Sequence, residues 1–294
     1  MSDIEQSIKS KIEAVGTPLR DWDIQINYGI KTGYNDAFVI TTDKRDEILT
    51  NCHDDDERFR TSEIIRPILR GRDIKRYNYD WADLWLIYIP WHFPLHEDDS
   101  IQGTSVKAEE TFKTQYPTIY QHLLAYKENL SARNKAETGI RYEWYAMQRW
   151  GANYSDDFNK PKIVYAELAR TGNAFTIDTK RMVVGNTGYI ITFDSDVSKE
   201  RLYCLTGFLN SKATLFYLDH SCSKFDENGW RWLRQFVENI PIPQQTNHQL
   251  FLEITKAIEQ CNSDCLQRIN TIVYEILGLT PDEIAYLEKK YVNY

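Results

Sequence analysis

The sequence predicts a fold of mixed helices and short strands, with a small irregular sheet or barrel in its middle and a helical hairpin at its end. Three observations carry this. Four short β-like runs lie between residues 161 and 193, separated by turn residues. Apolar residues recur at helical spacing on either side of them. The string Ile240-Pro241-Ile242-Pro243 stops one kind of structure before the other begins, because a residue preceding proline is driven out of the helical region.

Taken in order, Ile4, Ile8 and Ile12 form one helical face that ends at Gly16. So thin a stripe is expected to pack against something else, such as a preceding domain. Ile24 and Ile26, then Phe38 to Ile40, read as two strands joined through Gly29 and Gly33. Asp43 opens a short polar helix ending near Asn51, and Asp54 to Glu57 reads as a solvated loop. Ser62 and Glu63 read as the cap of an apolar stretch, Ile64 to Leu69, that breaks at Gly71. Leu84 to Pro90 is a strand candidate, and residues 107 to 130 hold a helical pattern with a first-turn proline at Pro117. The four β-like runs are Ile163–Tyr165, Ala174–Ile177, Met182–Val184 and Tyr189–Thr192. Helices are expected at 199 to 218 and 229 to 239, then at 247 to 260, 263 to 277 and after Thr280-Pro281-Asp282.

The chain has 294 residues, of which 42% are hydrophobic and 27% charged, which suits a globular protein with a full core. No apolar run reaches membrane-spanning length, and Met1 to Gln6 lack the pattern of a signal peptide, so a cytoplasmic protein is expected. Five cysteines, with Cys261 and Cys265 one helical turn apart, read as reduced thiols because no zinc-type spacing accompanies them. A formal charge of −8 means that any nucleic-acid contact must rest on local basic patches. Eight Trp and nineteen Tyr are many; they suit a packed core, and equally a surface that meets sugars and bases.

Most enzymatic readings lack their chemistry. The thirteen glycines are scattered and form no phosphate cradle, and no paired histidines or nucleophile elbow occur. Asp282, Glu288 and Lys290 follow the order of a metal-dependent nuclease signature. Yet they fall on one expected helix, where Asp282 and Glu283 suit the positive end of the dipole.

Three strings could hold a phosphate backbone. The densest contains Arg60, Arg66, Arg70, Arg72, Lys75 and Arg76 against only Glu63 and Asp73, with Gly71 letting the backbone turn. Arginine forks onto phosphate or guanine, whereas lysine acts as a point charge. The same residues could be a solvated loop paired with the nearby acidic run. A second string, Ser223 to Arg234, interleaves Lys224, Arg231 and Arg234 with aromatic rings, although Trp230 and Leu233 also fit a core. The third, Asn27 to Asn35, offers Lys31, Thr32, Tyr34 and Asn35 around two glycines, or an ordinary hairpin turn.

These strings occur in a known order. With Thr17-Pro18-Leu19, Trp22-Asp23-Ile24, Glu63 to Tyr77, Pro161 to Tyr165, Leu209-Asn210-Ser211, Ile240 to Pro243 and Val273-Tyr274-Glu275, the chain resembles the C-terminal specificity (target-recognition) region of TaqI-like type IIG restriction-modification enzymes. The resemblance implies an α+β specificity domain followed by an α-helical hairpin. It divides the chain into a linker helix at 1–16, a target-recognition domain at 17–243 and a docking lobe at 244–294. It implies double-stranded DNA as partner, together with an adenine-N6 methyltransferase or nuclease domain in cis or in trans. The sequence departs from such enzymes in having no glycine-rich S-adenosylmethionine loop and no Asn-Pro-Pro-aromatic motif. Catalysis, S-adenosylmethionine and Mg²⁺ are therefore expected only in the partner. The rival reading is a protein-interaction module that never touches DNA.

Overall fold

The computed structural model describes residues 1–170, 172–195, 197–226, 229–244, 248–260 and 263–294. Cys261, and Glu227 and Asn228 of the second basic string, lie outside them. The architecture is mixed helix and sheet, built on two four-stranded sheets. The first sheet is antiparallel throughout, in the order Ile24–Tyr28, Gly188–Phe193, Lys162–Ala166, Phe175–Asp178. The second runs Val39–Thr41, Leu84–Ile87, Ile65–Leu69, Val183–Val184, and its last pair is parallel.

The first sheet is a partition between two cores. Side chains alternate across a strand. Ile163, Tyr165, Tyr189 and Ile191 therefore enter one core, while their neighbours Val164 and Ile190 enter the other. The first core gathers the N-terminal helix Asp3–Val15, the helices Lys199–Leu209 and Lys212–Ser221, and the C-terminal helices His248–Gln260, Ser263–Ile276 and Pro281–Lys290. The second packs the second sheet against Val106–Gln115 and Pro117–Leu124. Both faces of the central strands are thus buried, which explains why Lys162–Ala166 reads as a nearly continuous apolar run.

The isoleucine stripe of the N-terminal helix is covered within this chain: Ile8 and Ile12 are buried in the first core, and Lys11 pairs with Glu283 at 2.7 Å. Glu283 also completes a capping box with Thr280, with Pro281 in the first turn of the last helix.

Three local expectations are corrected. Asp54 to Glu57 is not a loop: the Asp54 side chain accepts from the Glu57 N–H and caps the helix Asp55–Ile64, whose first turn carries the acidic residues. The apolar stretch Ile65–Leu69 is a strand, because Pro67 cannot continue a helix and forces Arg66 into extended backbone. The sequence predicts helix from residue 229, but Gly229–Arg231 is a strand paired with both Lys224–Asp226 and Leu168–Ala169, and helix begins only at Arg234. No helix among the described residues is long and apolar enough to cross a membrane.

Candidate nucleic-acid interface

The turn Gly185–Gly188 organises the site. It links the short strand Val183–Val184 of the second sheet to Gly188–Phe193 of the first, and it closes with the Gly188 N–H donating to the Gly185 carbonyl at 3.0 Å. Three segments fasten to it. Ile30 N–H donates to the Val184 carbonyl at 2.8 Å, and Gly29 N–H to the Gly188 carbonyl at 2.9 Å. Gly185 N–H donates to the Leu69 carbonyl at 2.9 Å, and Gly71 N–H to Thr187 Oγ1 at 2.8 Å. Glu167 N–H donates to the Thr187 carbonyl at 2.9 Å.

These contacts explain the glycines. A Cβ on Gly29 would overlap the Gly185 carbonyl, and one on Gly71 would overlap that of Thr187. The expected roles are thereby revised: both glycines admit the backbone of this turn, rather than an outside partner or a free bend. Gly33, at φ +81°, is the one in this region that needs the left-handed conformation. Nor is the connection an ordinary hairpin, since Ile24–Tyr28 and Val39–Thr41 belong to different sheets.

Around the turn opens a cleft of about 590 Å³. The first and third basic strings meet in it: Arg70 and Arg72 line one side, and Tyr28, Ile30, Thr32 and Asn35 another. Glu167, Leu168, Asn186 and Thr187 complete the wall. Lys31 and Tyr34 line a smaller cleft that shares Thr32, Asn35 and Asn186 with the first. The second string touches the cleft wall through Arg231, whose Nε lies 3.2 Å from Glu167 Oε1 as an ion pair, next to the strand pairing of Arg231 with Leu168.

The side chains differ in how they are held. Arg70 forks onto Asp73, with Nε to Oδ2 at 2.9 Å and Nη2 to Oδ1 at 2.7 Å. This bonding raises the pKa of the guanidinium above its ordinary value and leaves other N–H groups for a ligand. Exposed Arg72 makes no side-chain hydrogen bond or ion pair among the described residues, while Lys75 Nζ bonds back to the Arg72 carbonyl at 2.9 Å. Thr32 Oγ1 donates to Asn35 Oδ1 at 2.6 Å, and Tyr34 OH accepts from Asn129 Nδ2 at 2.8 Å. The loop carrying Thr32 is pinned by Arg133, a buried guanidinium that donates to the carbonyls of Thr32, Leu130, Trp144 and Ala146.

Tyr28 is fixed by a row of rings in register across all four strands of the first sheet: Tyr28, Tyr189, Tyr165, Phe175. Successive centroids lie 4.8, 5.1 and 5.0 Å apart. Three of the nineteen tyrosines are used in this way. At the open end of the row, Tyr28 OH donates to Glu167 Oε2 at 3.0 Å. Burial, and then Glu167, push the phenol up to about 12, so it stays a donor at neutral pH.

Other residues singled out from the sequence face elsewhere. Arg66 turns to Asn159 Oδ1 at 2.7 Å and lies over the Tyr88 ring. Arg76 donates to the carbonyls of Asn210 and Tyr294, tying its loop to the C-terminal end. Lys224 pairs with Asp219 at 3.0 Å, and Arg234 with Glu238 at 3.1 Å. Trp230 and Trp232 are stacked core residues. Asp282 and Glu288 share the helix Pro281–Lys290, and Glu288 is bound to Lys212 at 2.6 Å and Tyr274 at 2.7 Å. No group of three or more His, Cys, Asp or Glu is placed to hold a metal ion among the described residues.

Sequence reasoning misses Glu167, Leu168, Asn186 and Thr187. The signal for the last two is Gly185-Asn186-Thr187-Gly188, turn chemistry between two β-like runs that looks locally like a mere separator.

Known proteins resemble this chain in sequence or in fold. The type II methyltransferase M.MjaIV of Methanocaldococcus jannaschii is 25% identical over 226 residues, covering 74% of this chain and 64% of its own. The chain therefore spans somewhat under two thirds of that relative. Two solved structures share the fold. One is the type IIL restriction-modification enzyme MmeI in complex with DNA, with a TM-score of 0.53, 14% identity, and coverage of 94% of this chain and 36% of that one. The other is the type IIG restriction endonuclease BpuSI, with a TM-score of 0.54, 11% identity, and coverage of 96% and 33%. The family model of the TaqI-like C-terminal specificity domain matches residues 66–242, which takes in the Arg70 loop, Glu167, the Gly185 turn and Arg231. With more than half of its length inside that match, the chain belongs to the TaqI-like C-terminal specificity domain family.

Proposed function

We propose that this chain reads a short duplex DNA sequence on behalf of an adenine-N6 methyltransferase or nuclease, in cis or in trans, and performs no catalysis itself. The observation that carries this reading is convergence. Two strings far apart in sequence meet at one cleft around the Gly185–Gly188 turn, and a third touches its wall through the Arg231–Glu167 ion pair, although the chain as a whole bears a charge of −8. Arg70 and Arg72 supply cations that position the phosphate backbone, and the polar side chains beside them reach base edges. The partner grips the other side of the duplex and extrudes the target adenine, so this chain needs only a local basic patch. S-adenosylmethionine and Mg²⁺ belong to that partner, and the assembly works in the cytoplasm.

The test is an Arg70→Ala/Arg72→Ala double variant, assayed for duplex binding in the assembled enzyme over a range of salt. Weaker binding with a shallower salt dependence is expected. Unchanged affinity sinks the proposal and favours the rival, a protein-docking module whose partner would meet the apolar wall of Ile30, Val39, Ile68 and Leu168.

A further inference from the structure

Glu167 is an anomaly in a surface that receives a polyanion. It is one of the residues lining the cleft, it shares that lining with Arg70 and Arg72, and a carboxylate there repels phosphate. It is also rigidly placed. Its backbone N–H donates to the Thr187 carbonyl, its own carbonyl accepts from Trp232 N–H at 2.8 Å, and its two carboxylate oxygens are held by Tyr28 OH and Arg231 Nε. Tyr28 is in turn fixed by the ring ladder. A carboxylate held this firmly, with lone pairs left over, is built to accept further hydrogen bonds.

Duplex DNA offers few donors to meet it. In the major groove, guanine N7 and O6 and thymine O4 are acceptors, and adenine sets its N6 amine beside the N7 acceptor. The cytosine edge presents its N4 amine with no acceptor alongside. We infer that Glu167 is a specificity-determining residue that accepts from the N4 amine of a cytosine in the recognised sequence. This rests on the reading of the cleft as a DNA-facing surface. Arg70 and Arg72 hold the backbone while Glu167 discriminates, and Tyr28 and Arg231 are its positioning residues.

The experiment selects duplexes from a randomised pool with the assembled enzyme, carrying this chain as wild type, Glu167→Gln or Tyr28→Phe, after thermal melts show that each variant folds. Glutamine keeps the size of the side chain and its ability to accept from Tyr28, but adds a donor suited to adenine. If the inference holds, wild type selects a motif with cytosine at one position. Glu167→Gln then loses that preference by about tenfold to a hundredfold, or turns it toward adenine, and binds unselected DNA more tightly. Tyr28→Phe weakens the preference at that same position and no other. A wild-type motif that Glu167→Gln leaves intact, or a loss spread evenly over all positions, overturns the inference while the DNA-reading function stands. Failure of the assembled wild-type enzyme to select any motif overturns both.

Discussion

The Lys162 ammonium lies 2.5 Å from the Asp178 carboxylate, and neither side chain reaches solvent. The pair joins adjacent strands of the first sheet. Asp178 also accepts from the backbone N–H groups of Lys180 and Met182, which steers the chain out of the first sheet toward Val183–Val184 and the turn behind the cleft. Burial lowers the pKa of the lysine, against the pull of its partner. Removing one member leaves the other charged and buried without its counter-charge. Lys162→Met or Asp178→Leu is therefore expected to destabilise the fold by about 3–5 kcal/mol, and the double change by less than the sum of the two. Urea denaturation of the three variants measures this, and additive losses would contradict it.

Arg72 and Arg76 are four residues apart and predict opposite outcomes. Arg72→Ala should lower affinity for every duplex alike and reduce the salt slope by about 1, with stability unchanged. Arg76→Ala strips donors from the Asn210 and Tyr294 carbonyls and should cost about 1–3 kcal/mol of stability. Parallel binding isotherms and denaturation curves separate the two, and a stability loss at Arg72 would count against this division.

Gly29→Ala and Gly71→Ala each push a methyl group into the backbone of the Gly185–Gly188 turn, where the atom met first is a carbonyl oxygen that cannot swing aside. Each is expected to cost about 1–3 kcal/mol or more. Gly139→Ala is the contrast: its added carbon meets nothing within 4 Å, and strain at φ +76° is the whole of its penalty. Melting temperatures of the three variants, compared with the wild type, decide whether close approach governs the first two positions.

Acid should loosen the join between the first and last helices. Burial alone would raise the Glu283 carboxyl, but hydrogen bonds from Lys11, Ser7 and Thr280 hold it at about 2, below its ordinary 4.5. A carboxyl depressed in the folded state lends stability that is complete above its unfolded pKa and disappears as pH falls toward the folded one. The melting temperature should therefore drop between about pH 4.5 and 2, and Glu283→Gln should flatten that part of the profile. An identical acid limb in the variant would assign the loss to other groups.

Local signals in the sequence suffice where one segment carries the whole message. The run Ile163, Val164 and Tyr165 announces a strand, and Thr280-Pro281 with Glu283 announces a helix start. Ile64 to Leu69 misleads because its apolar spacing suits a helix as well as a buried strand; Pro67 is the deciding residue. Arg70, Arg72, Thr32 and Asn35 stand out through charge and glycine content, and they do share a cleft. Glu167 is invisible by the same logic. Its place is set by contacts to residues distant in sequence, and its charge argues against a site for a polyanion. Arg76 shows the converse: within the basic string nothing distinguishes it from Arg72, and only the folded chain turns it toward Tyr294.

The sheet shared by the two cores has a consequence for how the molecule comes apart. Val164 and Tyr165 point to opposite faces and cannot leave their separate surroundings independently, since one strand carries both. Denaturation is then expected to be all-or-none for the pair of hydrophobic bodies, and a ligand seated at the Gly185 turn, where strands from both sheets join, would tighten the two together.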